Sequence, residues 1–234
     1  MKKRILSVAL ILVMGVLALT GCGSSSSDKI VFGTNAEFPP FEFKSTNGVI
    51  DGYDGIDMAI AAKIGENAGK EVEIANMEFD SLLVAIQNGQ IDAAIAGMTA
   101  TEERAKTVDF STPYYTATQV MVVKEGSDIK TAADMEGKSI AVVQGYTGET
   151  VVKDLGYQYE AFKKGTECIL ELVNGKCDVV VIDSATAKDY VGDNEGLVIV
   201  EDPSAFESEE YAIAVEKGNT ELLHKINAEL QKML

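Results

Sequence analysis

Short apolar runs of strand length alternate along the chain with stretches whose apolar side chains recur at helical spacing. The predicted strands are residues 30–32, 72–74, 92–96, 139–143 and 179–182. The predicted helices are residues 55–68, 79–87, 147–155, 166–173 and 184–191. This alternation predicts an α/β fold with mostly parallel sheets flanked by helices.

One segment occurs twice in similar form. Residues 82–97 read LLVAIQNGQIDAAIAG, and residues 168–183 read CILELVNGKCDVVVID. In both, a helix ends at a glycine and a short loop leads into a buried strand, which favours two similar α/β lobes over a chance match. Ligands of open α/β sheets bind at the carboxyl ends of strands, and Gly97 and Asp183 occupy that place in the two segments. We therefore expect both to border one cleft.

The N-terminus predicts export. Lys2, Lys3 and Arg4 precede an apolar run over residues 5–19, which is too short for a membrane span but typical of a signal peptide. The residues that end in Cys22 resemble the lipobox of bacterial lipoproteins, and the alternative is a chance cysteine after a plain signal peptide. We expect residues 1–21 to be a signal peptide, Cys22 to be lipidated, and the Ser-rich residues 22–28 to be a flexible tether. The mature protein would be extracytoplasmic and lipid-anchored to the bacterial cell membrane.

Charge and composition exclude several classes of function. The 234 residues include 20 Lys and Arg against 37 Asp and Glu, for a formal charge of −17, which argues against nucleic acid as a partner. A single histidine, His224, argues against a His-rich metal site or a Ser-His-Asp hydrolase, so we expect no metal and no cofactor. Cys168 and Cys177 face an oxidising environment, but a predicted helix separates them, so we expect buried free thiols rather than a disulfide.

Two opposite charges are candidates for ligand binding. Arg104 follows Thr99 and Thr101, either of which is a good helix N-cap, and its planar guanidinium matches a carboxylate with two parallel hydrogen bonds. The alternative is a surface ion pair of Arg104 with a neighbouring glutamate. Asp183 ends an apolar run, where its carboxylate either caps the next helix or faces the cleft.

Together, Arg104 and Asp183 fit the two ends of an α-amino acid zwitterion. Phe38 and Phe79 emerge at the rim of the first lobe, where two aromatic rings can enclose an aliphatic or cationic side chain. The alternative is that one or both phenylalanines belong to the core.

Four motifs occur in an order that resembles a known family. They are residues 33–43 (GTNAEFPPFEF), 97–104 (GMTATEER), 109–115 (DFSTPYY) and 144–149 (QGYTGE). Together they resemble the polar amino-acid substrate-binding proteins of ABC importers, solute-binding protein family 3.

The resemblance implies a two-lobed periplasmic-binding-protein fold of type II, with two crossover strands as a hinge. The crossovers are expected near residues 118–122 and 210–214. Lobe 1 would comprise residues 29–118 and 212–234, including a last helix over 219–234, and lobe 2 residues 119–211.

The resemblance also implies roles for individual residues. Arg104, with Thr99 and the backbone at Thr147, would hold the ligand α-carboxylate, while Asp183 and the Gly97 carbonyl would take the α-ammonium. The ligand-binding residues expected on this basis are Asn35, Phe38, Glu42, Phe79, Gly97, Met98, Thr99, Arg104, Gln144, Thr147, Gly148 and Asp183.

Some positions depart from the family pattern and bear on specificity. Asn35 would read the far end of the ligand, where members that favour cationic side chains commonly carry Asp. Glu42 and Gln119 are candidates to read a cationic or amide terminus instead. Tyr146 replaces the usual Thr or Ser and is expected to crowd or line the cleft.

The expected function is binding without chemistry. A polar L-amino acid such as glutamine, arginine or histidine would be captured as the lobes close and then delivered to an ABC permease. The chain has no Walker sequence, so the cytosolic ATPase would be a partner. We expect a monomer. The alternatives are a cyclohexadienyl dehydratase-like enzyme on the same scaffold and a ligand-sensing module.

Overall fold

The computed structural model describes residues 29–233. The expected signal peptide, Cys22 and the tether lie outside these residues. Within the described part of the chain, no helix is both long and apolar enough to cross a membrane.

Strands and helices alternate as the apolar pattern predicts. The strands are β1 (Lys29–Thr34), β2 (Glu37–Phe38), β3 (Glu42–Lys44), β4 (Tyr53–Asp54), β5 (Glu71–Asn76), β6 (Ala93–Ala94), β7 (Val108–Phe110), β8 (Tyr115–Lys124), β9 (Ile140–Val143), β10 (Tyr159–Phe162), β11 (Val179–Asp183), β12 (Leu197–Val200), β13 (Ser208–Tyr211) and β14 (Ala214–Glu216). The α-helices are α1 (Ile56–Ala68), α2 (Leu82–Gln87), α3 (Thr147–Asp154), α4 (Gly165–Val173), α5 (Ser184–Asp193) and α6 (Thr220–Met233). Short 3₁₀ helices cover Phe79–Ser81, Arg104–Lys106 and Ala132–Met135.

Two mixed sheets form the two lobes. The first lobe contains the sheet β5-β1-β6-β14-β7, in which β5, β1 and β6 are parallel and β14 is antiparallel to both neighbours. The second lobe contains the sheet β10-β9-β11-β8-β12, in which β10, β9 and β11 are parallel and β8 is antiparallel to both neighbours. A small sheet, β2-β3-β4, packs beside α1 in the first lobe. The predicted α/β fold with two lobes is confirmed.

The chain passes between the lobes along two strands. β8 leaves the first lobe and β13 returns to it, and the two pair antiparallel from Tyr115–Thr118 against Ser208–Tyr211. Farther along, β8 pairs with β11 and β12 instead. The expected lobe boundaries fall within β8, after Thr118, and at the end of β13, after Tyr211. They stay a prediction.

The sequence repeat corresponds to a repeated structural unit. In each lobe a helix ends near a glycine with positive φ, Gly89 at 65° and Gly175 at 71°. An aspartate then follows in each lobe, and its carboxylate accepts the backbone N–H at or just before another strand of the same sheet. Asp92 accepts from Val31 at 2.8 Å and Asp178 from Ser139 at 2.8 Å. The two segments therefore anchor β6 and β11 in the same way.

Some expected elements differ in extent. The helix expected over 79–87 begins as a 3₁₀ turn, and the strand expected over 92–96 is limited to Ala93–Ala94. After β6 the backbone turns at Gly97, where φ is +52°. A Cβ at this position would lie 2.5 Å from the Phe38 ring, so the turn favours glycine. Cys168 is a buried free thiol, as expected, whereas the free thiol Cys177 is only half-buried.

Candidate functional site

One cavity lies between the lobes and is lined by both. Only about 10 Å³ of it is open to the centre of a water-sized sphere, and its lining residues are Phe38, Phe79, Ala96, Gly97, Thr99, Arg104, Tyr146, Thr147 and Asp183. The first six belong to the first lobe and the last three to the second. The cavity lies where β6 and β11 end, which is where ligands of α/β sheets bind.

Arg104 connects the two lobes. Its Nη1 donates to the Thr99 carbonyl at 2.8 Å and its Nη2 to the Gly145 carbonyl of the second lobe at 2.9 Å. The guanidinium carbon lies 5.1 Å from the centre of the Phe79 ring, within the range of a cation–π interaction. The alternative of a surface ion pair is not observed, because Glu103 pairs with Lys106 instead. The guanidinium therefore faces the cleft.

A glutamate that the sequence did not single out lies beside Arg104. Glu209 of β13 accepts hydrogen bonds from the hydroxyls of Thr99 and Thr147, each at 2.8 Å. Burial lowers the pKa of the Arg104 guanidinium, and the charge of Glu209 partly offsets this effect. Glu209 thus joins both lobes through its carboxylate.

Asp183 also faces the cleft. It is buried at the end of β11, and it accepts a hydrogen bond from the hydroxyl of Tyr211. Its side chain does not cap α5, so the helix-cap alternative is not observed. Burial raises the pKa of Asp183 to about 7, and the nearby charge of Glu209 adds to this effect. A cationic group placed here would favour the ionised carboxylate.

The gap between the two candidate aromatic residues is filled by Tyr146. Its ring lies 5.3 Å from that of Phe38 and 4.6 Å from that of Phe79, edge-on to both. The Tyr146 hydroxyl donates to Asn35 Oδ1 at 2.9 Å, and Asn35 Nδ2 donates to the Met77 carbonyl at 2.8 Å. Tyr146 therefore crowds the cleft and contacts the residue expected to read the far end of a ligand.

A pair of buried acids supports the cleft from behind. Asp57 Oδ2 accepts the N–H of Gly97 at 2.8 Å and the hydroxyl of Tyr114 at 2.9 Å. Burial raises the pKa of Asp57 to about 6. Burial, and then the charge of Asp57, raise the pKa of Glu42 well above its ordinary value. Burial thus favours the neutral form of the Glu42 carboxyl group.

The remaining expected site residues surround the cavity lining. Met98 is buried, and its carbonyl accepts the N–H of Ala212 at 3.0 Å. Gln144 lies at the rim, where its Nε2 donates to Asp80 of the first lobe at 2.9 Å. Gly148, in the first turn of α3, packs so closely on β11 that a Cβ would lie 2.8 Å from the Val181 carbonyl oxygen. These three residues act on the cleft through packing and contact between the lobes.

Sequence reasoning missed Glu209 and Tyr211. Residues 207–211 read ESEEY, and in a strand the side chains of residues 209 and 211 share one face. This alternation is the signal that would identify them, but it becomes useful only once the segment is known to be a strand beside the cleft. Within the described residues, no group of three or more His, Cys, Asp or Glu side chains is arranged to hold a metal ion.

Residues 30–234 match the family model of bacterial extracellular solute-binding proteins, family 3. The chain belongs to this family. The arginine-binding extracellular protein ArtP of Bacillus subtilis (strain 168) is 34% identical over 92% of this chain and 87% of its own length. The ABC transporter glutamine-binding protein GlnH of the same strain is 34% identical over 99% of this chain and 92% of its own length.

A solved structure is also similar. An ancestral arginine-binding protein bound to glutamine is 45% identical, with a TM-score of 0.81 over 88% of this chain and 92% of that chain. These similar proteins are amino-acid-binding proteins by name, and the resemblance stated from the motifs is confirmed.

The buried carboxyl groups make stability depend on pH. Glu42, Asp57 and Asp183 have raised pKa values, so the folded protein binds more protons than the unfolded chain between about pH 4 and 7. Stability therefore falls as pH rises through this window, because the unfolded chain gives up these protons at lower pH than the folded protein does. Melting temperatures measured from pH 5 to 8 should decrease.

The Glu42→Gln variant removes one of these groups and should reduce the slope. The measurements belong in 0.5 M NaCl, which screens repulsion among surface carboxylates. A melting temperature that is constant or rises from pH 5 to 8 would contradict the raised pKa values of the three carboxyl groups.

Proposed function

We propose that this protein is the extracytoplasmic substrate-binding component of an ABC importer for a polar L-amino acid, such as glutamine, arginine or histidine. The observation that carries the proposal is one cavity lined by Arg104 and Asp183, which come from different lobes and have opposite charges. The similarity to arginine-binding and glutamine-binding proteins supports the same ligand class.

The two charges suit the two ends of an amino acid. The guanidinium of Arg104 can donate two parallel hydrogen bonds to an α-carboxylate, and the hydroxyls of Thr99 and Thr147 lie beside it. The carboxylate of Asp183 can accept from an α-ammonium, with the carbonyl of Gly97 as a second acceptor. A ligand that lacks either group would leave a buried charge without a partner, which is costly.

The side-chain subsite combines apolar walls with polar ends. Phe38 and Phe79 form the walls, Asn35 supplies an amide beyond them, and the buried Glu42 would supply a carboxyl group once Tyr146 moves. The amide of Asn35 can accept from a guanidinium, an imidazole or an amide. This arrangement suits a polar side chain and leaves several amino acids possible.

Closure of the lobes would couple binding to transport. The expected contacts to one ligand come from Arg104 in the first lobe and from Thr147 and Asp183 in the second. Contacts made only when the lobes meet shift the equilibrium toward the closed form. A permease with a cytosolic ATPase would recognise that form and take up the amino acid.

The proposed location follows from the N-terminus. Removal of residues 1–21 and lipidation of Cys22 would anchor a monomeric protein to the outer face of the cell membrane. Residues 22–28 would let it reach a neighbouring permease.

A thermal-shift screen of the twenty amino acids, ornithine and cystine tests the ligand class. A ligand at 100 times its Kd stabilises the native protein by about 2.7 kcal/mol. One or a few polar amino acids should therefore raise the melting temperature by several degrees. A screen in which none does so would refute the proposal.

Arg104→Ala should weaken binding of the best amino acid by at least about 3 kcal/mol, roughly a hundredfold, because the α-carboxylate loses its charged partner in a buried site. Calorimetric titration measures the change. Lys106→Ala, in the same 3₁₀ turn but exposed, is the matched control and should bind as the unchanged protein does. Equal affinity of the Arg104 variant would remove Arg104 from the site.

Asp183→Asn should weaken binding of the amino acid more than binding of its des-amino analogue, because only the former carries the ammonium. The same titration with both compounds separates the two losses. Asp193→Asn, at the exposed end of α5, controls for the change of charge. If both compounds lose equally, Asp183 does not bind the ammonium.

A further inference from the structure

Two hydroxyls beside Arg104, at the place proposed for the ligand α-carboxylate, already hold a carboxylate of the protein. Glu209 Oε2 accepts from Thr99 of the first lobe and from Thr147 of the second, each at 2.8 Å. The same carboxylate lies close enough to Arg104 to raise the pKa of its guanidinium against the effect of burial. Glu209 thus binds two of the groups proposed for the ligand carboxylate and lies in the field of the third, Arg104.

The side-chain subsite is likewise filled by the protein. The Tyr146 ring packs against both Phe38 and Phe79, with centroid distances of 5.3 and 4.6 Å. Its hydroxyl donates to Asn35 Oδ1 at 2.9 Å. An apolar body that ends in a polar group on Asn35 is what the proposed ligand side chain would present.

We propose that Glu209 and Tyr146 act as an internal competitor, which occupies the carboxylate and side-chain subsites and must be displaced by an amino acid. The inference rests on the proposed function. It gives β13 a role beyond connecting the lobes. Part of the ligand's binding free energy is used to displace Glu209 of this strand.

The charges in the cleft explain why the exchange favours the ligand. Glu209 is attracted to Arg104 but repelled by Asp183, which is buried nearby. An incoming zwitterion supplies a carboxylate to Arg104 and, in addition, an ammonium to Asp183, which Glu209 cannot do. Since Glu209 is only half-buried, its carboxylate can return to water when it is displaced.

The competitor also affects selectivity. Tyr146 has to leave the gap between the two phenylalanines before a long side chain enters, whereas a short one leaves it in place. The measured affinity equals the intrinsic affinity multiplied by the fraction of molecules whose subsites are open. Removing the competitor therefore tightens binding without adding any contact to the ligand.

Glu209→Ala should bind L-arginine or L-glutamine, whichever the unchanged protein binds, about tenfold more tightly in calorimetric titration, since it removes charge-assisted hydrogen bonds that compete with the ligand. Glu210→Ala is the matched control, because Glu210 is the next residue of β13, carries the same charge and is exposed on the opposite face. Its affinity should not change. Equal or weaker binding by Glu209→Ala would overturn the proposal.

A second measurement does not need a ligand. Small-angle scattering of protein dialysed free of amino acids should give a larger radius of gyration for Glu209→Ala combined with Tyr146→Phe than for the unchanged protein. The double variant loses the hydrogen bonds of Glu209 and of the Tyr146 hydroxyl that join the lobes, but it keeps the aromatic ring at position 146. Equal radii would count against the competitor, and they would do so even if no amino acid bound. Absence of binding by the unchanged protein and all variants would instead refute the proposed function.

Discussion

The antiparallel pairing of β8 with β13 is the constraint on which the rest of the structure depends. This pair of strands joins the lobes, and several residues of the cleft lie on the two strands or next to them. Glu209 and Tyr211 lie on β13 and Gln119 on β8, while Thr99 pairs with Tyr211 through a single β-bridge. Any rotation of one lobe against the other passes through these two strands. A rotation of the lobes would therefore also displace the side chains that these strands bring to the cleft.

The balance of charges in the cleft differs from that of the whole chain. The chain carries a formal charge of −17, but this excess says little about the site, where one guanidinium faces a few carboxyl groups. Burial raises the pKa of Glu42 well above its ordinary value and that of Asp183 to about 7. Arg104 thus encounters fewer full negative charges than a count of residues suggests. The α-ammonium and α-carboxylate of an amino acid carry one charge of each sign, so they can pair with both Asp183 and Arg104.

The fold was largely predictable from the sequence, because buried strands and amphipathic helices leave clear periodicities. The repeated segment predicted the equivalent placement of Gly97 and Asp183, which line the same cavity. Short strands such as β2 and β13 carry no such signal, because they are only two to four residues long. Glu209 reaches Thr99, 110 residues away in the chain, only because of the tertiary fold. Spacing along the chain cannot reveal such a contact.

The central claim is that the opposite charges of the cleft bind the two ends of one amino acid. The most direct test compares the amino acid that gives the largest thermal shift with its N-acetyl derivative and its α-carboxamide, titrated under identical conditions. Each derivative keeps the side chain but removes one charge. The account predicts that either change weakens binding at least about a hundredfold. Binding of both derivatives with undiminished affinity would contradict it.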